Sequence, residues 1–273
     1  MMTRSAHDHN QAAIGVFDSG VGGLTVVQAL QKRLPLEKII YFGDTARVPY
    51  GVKSAETITD YAGQITRFLL GKDVKMLIVA CNTMSAVAYK AIASISPVPV
   101  LDVISAGADT AAKATKTKRI GVIGTPATIL SDAYPRAIRR CNPEISVFSK
   151  ACPLFVPLVE EGWLDHPATK LIVREYLAPV LENGIDTLVL GCTHYPLLRP
   201  VLQQEAGPDV MLVDSATSVA EKTALLLQER GLQTPLPAPS EASFYVTDAP
   251  LRFQKTAETF LGHPLHHLEI VKW

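Results

Sequence analysis

The chain has 273 residues with 26 basic against 26 acidic side chains, so it carries no net charge that would draw nucleic acid or an anionic membrane. Apolar residues make up 48% and charged residues 19%, the balance of a soluble globular protein with enough chain for one large or two modest domains. No run approaches the about 18 consecutive apolar residues of a membrane span.

Residues 1–12 are polar around His7, Asp8 and His9 and lack an apolar core. They predict a short flexible tail, not a secretory signal, and hence a cytoplasmic protein. Strand-like apolar runs then alternate with helical patterns. Ile14–Phe17, Lys38–Phe42, Met76–Ala80, Val98–Val103, Ile120–Ile123, Ile145–Lys150, Thr187–Gly191, Val210–Val213 and Phe244–Val246 read as strands. Between them Leu24–Arg33, Ser54–Leu70, Met84–Ser94, Ala106–Ala114, Ser131–Arg140, Ala168–Glu182 and Ala216–Arg230 read as helices. The alternation predicts an α/β protein with mostly parallel sheets flanked by helices. The proline-rich stretch from Thr234 to Ser240 reads as a loop. Local basic groups such as Lys116–Arg119 and Arg139–Arg140 read as surface, and His263, His266 and His267 stand in no ligand-like frame.

Two echoes run through this order. Ile14-Gly15-Val16-Phe17 returns as Ile120-Gly121-Val122-Ile123, and Ala80-Cys81-Asn82-Thr83 has its counterpart in Gly191-Cys192-Thr193-His194. The offsets are 106 (14 to 120) and 111 (81 to 192), which predicts two related halves with a cleft between them. Each cysteine follows an apolar strand, at the edge where α/β sheets bind ligands. A thiol at a strand end and a helix amino terminus has its thiolate favoured by backbone N–H groups and the helix dipole. Cys81 and Cys192 therefore read as a pair of acid/base groups facing a small anion from opposite sides. Cys141 and Cys152 read as small buried hydrophobes. No Cys-x-x-Cys occurs, which argues against zinc and against a thioredoxin-type site, and a disulfide framework is not expected.

The turn Asp18-Ser19-Gly20-Val21-Gly22-Gly23 fits neither the dinucleotide fingerprint nor the P-loop. It suits close backbone approach to a small ligand, and Asp18 either caps the next helix or serves catalysis. The segment Gly43-Asp44-Thr45-Ala46-Arg47-Val48-Pro49-Tyr50-Gly51 has the density of polar, aromatic and turn residues of a substrate loop, with Arg47 paired to Asp44 or Asp18. His194, two residues beyond Cys192, is placed to share its site.

Together with Cys152-Pro153-Leu154-Phe155-Val156-Pro157-Leu158-Val159-Glu160 and the continuation Tyr195-Pro196-Leu197, these segments resemble the glutamate racemases of the aspartate/glutamate racemase family. They occur in the family's order over about residues 14 to 215; one alone is weak and five together are specific. The resemblance implies two pseudosymmetric α/β domains, 13–104 plus 216–273 and 105–215, with the active site in the cleft. It implies cofactor-independent interconversion of L- and D-glutamate for peptidoglycan synthesis, no metal, a homodimer, and in some members activation by a peptidoglycan precursor. By the same likeness Cys81 and Cys192 are the two bases, Asp18 and His194 assist them, and Asp44 and Glu160 are second supports. Asp18, Ser19, Tyr50, Gly51, Asn82, Thr83, Thr193 and His194 would contact substrate. The competing readings are a racemase for aspartate, a non-catalytic protein whose two halves close on an anion, and a thiol redox enzyme. The last needs the thiols close enough to join.

Overall fold

The computed structural model describes residues 10–235, 237 and 241–273. Two separate sheets organise the chain. The first has six strands in the order β10-β9-β2-β1-β3-β4: β1 (Ala13–Asp18), β2 (Ile39–Gly43), β3 (Val74–Val79), β4 (Val100–Asp102), β9 (Ser243–Val246) and β10 (Leu268–Ile270). The second has four in the order β6-β5-β7-β8: β5 (Arg119–Gly124), β6 (Ser146–Ala151), β7 (Thr187–Gly191) and β8 (Met211–Asp214). Every pairing is parallel. The helices are α1 (Leu24–Arg33), α2 (Ala55–Leu70), α3 (Asn82–Ile95), α4 (Val103–Ala114), α5 (Pro126–Leu130), α6 (Ala133–Cys141), α7 (Phe155–Glu160), α8 (Pro167–Leu181), α9 (Arg199–Ala206), α10 (Ser215–Glu229) and α11 (Pro250–Leu261).

The sequence echoes occupy equivalent places. β1 and β5 sit inside their sheets, each between the strand that follows it and the strand that carries a cysteine. Gly15 lies opposite Leu77, and Gly121 lies opposite Leu188. A side chain at either glycine would strike its neighbours: a Cβ at Gly15 would fall 2.8 Å from Leu77, and one at Gly121 would fall 2.6 Å from Ile185. In each sheet the strand order reverses at that central strand, which opens a crevice at the carboxyl ends of the pair. The chain crosses between sheets twice, through α4 and through α10, and these two helices pack on each other. One apolar core runs from Ile14, Val16 and Leu24 in the first half to Leu188, Leu190 and Tyr195 in the second.

Several elements start where a side chain satisfies free backbone donors. Ser54 accepts from Thr57 N at 3.2 Å, Asp102 from Ser105 N at 2.9 Å and Asp214 from Ala216 N at 2.8 Å. The cap at Asp102 explains why the expected strand Val98–Val103 is cut to Val100–Asp102 and why α4 begins earlier than the apolar pattern suggests. The expected helix Ser131–Arg140 is α6, which starts at Ala133 because Asp132 before it adopts a left-handed backbone (φ 55°). Helices α5, α7, α9 and α11 and strand β10 add to the elements read from the sequence.

Residues 1–9 of the expected tail lie outside the described residues. Asn10 to Ala12 are held: Asn10 donates to Gly231 O at 2.8 Å, and Ala12 is buried. Lys75 Nζ donates to Asn10 O at 2.9 Å and to Leu232 O at 2.8 Å while pairing with Glu37 at 2.5 Å. Both charged groups are buried, Lys75 at the amino end of β3, the end away from Cys81.

Candidate active site

Four loops at the carboxyl ends of the central strands meet between the sheets, and each half lends its first loop to the other half's cysteine. Beyond β1, Gly22 and Thr25 lie against the Cys192 loop: Thr25 donates to Thr193 O at 3.2 Å, and a Cβ on Gly22 would fall 2.2 Å from Thr193 Oγ1. Beyond β5, Thr125 lies against the Cys81 loop, its hydroxyl 3.2 Å from that of Thr83. Gly51 also packs on Thr125.

Cys81 caps α3, accepting from Met84 N at 3.5 Å, and its thiol donates to Ser19 Oγ at 3.7 Å. Burial and then the negative charge of Asp18 push the Cys81 thiol up to about 12, against the opposing pull of the Met84 and Ser19 hydrogen bonds. Cys81 thus holds its proton at neutral pH. Asp18, at the end of β1, accepts from Gly20 N at 3.2 Å and Gly23 N at 2.9 Å through Oδ2. Its Oδ1 is buried with no hydrogen-bond partner among the described residues. The carboxylate therefore ties the turn together and still offers one oxygen beside Cys81.

Cys192 has different company. Its Sγ is 3.9 Å from His194 Nδ1, and His194 Nε2 is 3.1 Å from Glu160 Oε1. Burial alone would lower the imidazole, but its bonds to Cys192 and Glu160 outweigh that and raise it to about 10. His194 is a cation at neutral pH. The expectation that both thiols begin a helix holds for Cys81 only. Cys192 precedes a turn and a short 3-10 segment, Tyr195–Leu198, in which Pro196 lacks an N–H.

Asp44, expected as a second support, is fully buried. It accepts from Tyr50 Oη, lies 2.7 Å from Arg47 Nε and accepts from Thr247 Oγ1 at 2.9 Å. Asp44 thus builds the loop that carries Tyr50 and Gly51. Tyr50 is buried, and its phenol is pushed up by burial and then by the charge of Asp44. Arg47, paired as expected, also lies 4.1 Å over the Tyr61 ring. Cys152 is buried, and Tyr195 donates to its carbonyl at 2.9 Å. Cys141 is exposed, contrary to expectation, because it ends α6 on the outer face.

Cys81 and Cys192 are each only 5% exposed. A cavity of about 140 Å³ opens beside the β1 turn, walled by Gly20, Val21, Thr45, Val48, Glu160 and residues at and within the start of α11. It reaches Glu160 and the β1 turn but neither sulfur. Among the described residues, no group of three or more His, Cys, Asp or Glu could hold a metal ion. Thr25 and Thr125 were not legible as site residues. The internal repeat does point to Thr125, which is Ser19 displaced by the same 106 residues as the first echo.

The sequence model of the Asp/Glu/Hydantoin racemase family matches residues 24–223, most of the chain. The chain belongs to this family. This racemase chain is 65% identical over 259 residues to the glutamate racemase of Syntrophus aciditrophicus, covering 95% of the chain and 96% of that relative. Its fold matches the glutamate racemase of Francisella tularensis in complex with D-glutamate, with a TM-score of 0.91 at 44% identity over 96% of this chain and 98% of that one. It also matches the Escherichia coli glutamate racemase in complex with L-glutamate and the activator UDP-MurNAc-Ala, with a TM-score of 0.77 at 28% identity over 96% and 98%.

Proposed function

We propose that the protein interconverts L- and D-glutamate, without a cofactor, by proton transfer between two thiols, and that it supplies D-glutamate for peptidoglycan synthesis. One observation carries this reading: two buried cysteines end equivalent strands of two different sheets, one beside a carboxylate and the other beside an imidazolium. Inverting an α-carbon requires a proton to leave one face while another arrives at the opposite face. A single base tends to return the proton where it came from. Two groups are needed, one protonated and one not.

In the resting protein Cys81 holds its proton; in the reaction one cysteine acts as thiolate while the other is thiol, and the two exchange roles for D- and L-glutamate. Turnover in the opposite sense uses the reverse arrangement. Asp18 assists Cys81 and His194 assists Cys192, with Glu160 holding the imidazole and Asp44 the substrate loop. The amide of Asn82, the hydroxyls of Ser19, Thr83 and Thr193 and the backbone of the turn supply donors for the substrate carboxylates, with Tyr50 and Gly51 on the loop side. Those donors offset the negative charge that grows as the weakly acidic α-proton leaves. Each acid/base group typically contributes about 10²- to 10⁴-fold, and positioning supplies much of the rest.

The likeness to the Syntrophus relative and to the D-glutamate-bound Francisella structure supports glutamate over aspartate. We place the protein in the cytoplasm as a homodimer of chains divided into domains 13–104 plus 216–273 and 105–215. No helix among the described residues is long and apolar enough to cross a membrane. The activator in the Escherichia coli structure makes a peptidoglycan precursor a candidate effector.

The test is proton NMR of the purified protein with D-glutamate in D₂O, alongside chiral analysis. Loss of the α-proton signal with appearance of L-glutamate is the expected result. Exchange of aspartate alone would keep the chemistry and change the substrate. No exchange of either, with or without the precursor, would overturn the reading in favour of a binding protein.

A further inference from the structure

Tyr134, from the second half, occupies the space between the two cysteine loops, and no sequence motif marks it. It is 1% exposed. Its hydroxyl donates to Asn82 Oδ1 at 2.8 Å, in the residue that follows Cys81. Its ring lies against Gly191, the residue before Cys192: a Cβ there would fall 3.0 Å from Tyr134 Cε2. The same phenol lies by Ser215, where α10 leaves the second half, and sits 3.4 Å from where a Cβ on Gly107 in α4 would lie. One side chain therefore touches both cysteine loops and both crossings between the halves.

Burial raises the Tyr134 phenol, so it stays protonated, and its hydrogen goes to Asn82 Oδ1. Asn82 must then turn its oxygen toward Tyr134. Its Nδ2, 3% exposed as a residue, has no hydrogen-bond partner among the described residues. A buried N–H₂ without an acceptor is costly unless something it binds supplies one.

We propose that Tyr134 is a positioning residue for the racemisation: it fixes the amide of Asn82 so that Nδ2 is presented to a substrate carboxylate, in register with the Cys192 strand. This rests on the reading of the protein as a two-thiol glutamate racemase. With Tyr134→Phe the ring remains against Gly191, but Asn82 is free to rotate and point oxygen where nitrogen stood. A lone-pair oxygen facing a carboxylate repels it.

The experiment is a double-mutant cycle on the full chain: wild type, Tyr134→Phe, Asn82→Ala and the double variant, with kcat and KM measured in both directions and thermal melting recorded. Tyr134→Phe is expected to raise KM about tenfold, the worth of one neutral hydrogen bond, with a smaller change in kcat. In the Asn82→Ala background, where no acceptor is left unpaired, the same change should have almost no effect on KM. That background also keeps the test available should Tyr134→Phe alone melt early. Unchanged KM in Tyr134→Phe, or an equal tenfold loss with Asn82 already removed, would overturn the assignment. A wild-type protein that racemises neither glutamate nor aspartate would instead overturn the underlying reading, and this proposal with it.

Discussion

Replacing Glu160 with Gln should lower the pKa of His194 by about one unit. The carboxylate stands 3.1 Å from Nε2, and glutamine keeps an acceptor there while removing the charge. Unit charges at that distance interact by about 1.3 kcal/mol in water and about 5 kcal/mol at an effective dielectric of about 20. Glu160 is 38% exposed against 10% for His194, which pulls the value toward the lower end, about 1–2 kcal/mol. At 1.36 kcal/mol per unit that is about one pKa unit. Nitrogen-detected NMR titration of the imidazole reads the shift directly, from about 10 in the wild type to about 9. The linkage has a definite sign. A histidine raised in the folded state adds stability that is fully present below its unfolded pKa of about 6.5 and is lost as pH rises through its folded pKa. Glu160→Gln should therefore melt earlier than wild type at pH 7, and the gap should close above about pH 10.5, where both imidazoles are neutral. The alkaline limb of kcat/KM for the direction that uses Cys192 as base should move down with the titration. A pKa within about 0.3 unit of wild type, or a melting gap of equal size at both pH values, would refute the assignment of His194 charge to Glu160.

Cys81→Ala and Cys192→Ala should each abolish interconversion, by at least about 10²- to 10⁴-fold, while circular dichroism and calorimetric glutamate binding stay close to wild type. Retained racemisation in either would sink the two-base scheme. Gly22→Ala would set a Cβ 2.2 Å from Thr193 Oγ1 and 2.5 Å from His194 Nδ1. It should cost about 1–3 kcal/mol of stability in denaturant melts and at least tenfold in kcat/KM. Lys75→Met should destabilise by about 3–5 kcal/mol because it leaves the Glu37 carboxylate buried and unpaired, and adding Glu37→Leu should recover much of that loss. Activity at a temperature well below melting should be unaffected by either, since Lys75 lies at the end of β3 away from Cys81.

The alternation of strands and helices was legible because apolar runs in parallel sheets are nearly continuous. Leu24–Arg33 was recovered to the residue, framed by Gly22-Gly23 before it and Pro35 just after. Errors cluster where a polar residue is buried with a partner far away in sequence. The strand expected from Met76 starts at Val74, with Lys75 inside it, because Glu37 and the carbonyls of Asn10 and Leu232 accept a charge that local pattern places outside. β10 is three residues long with two of them exposed, too little apolar pattern to register. In the site, the cysteines, Asp18 and His194 were legible through repeated strand-end motifs. Tyr134 was not, because its role depends on two loops that only the fold brings to it. Asp44 shows the converse: a motif residue whose carboxylate is spent on the loop itself, bound by Tyr50, Arg47 and Thr247.

The exchange of first loops between the halves suggests the geometry of a former twofold axis, with Ser19 and Thr125 as mates and Thr83 and His194 as near mates. Such an axis would once have made the two thiols identical, and an identical pair has no preferred charge state. Divergence at these mates, and at Asp18 against Gly124, broke that equality. In the proposed reaction every turnover ends with the proton on the other sulfur, so one direction leaves the protein in its stable form and the other leaves it in a strained one. Recovery of the resting form is then a step of its own, independent of substrate. At high substrate concentration it would cap the rate in one direction before the other, and a mixture started from pure D- or pure L-glutamate would approach the same equilibrium along unequal curves.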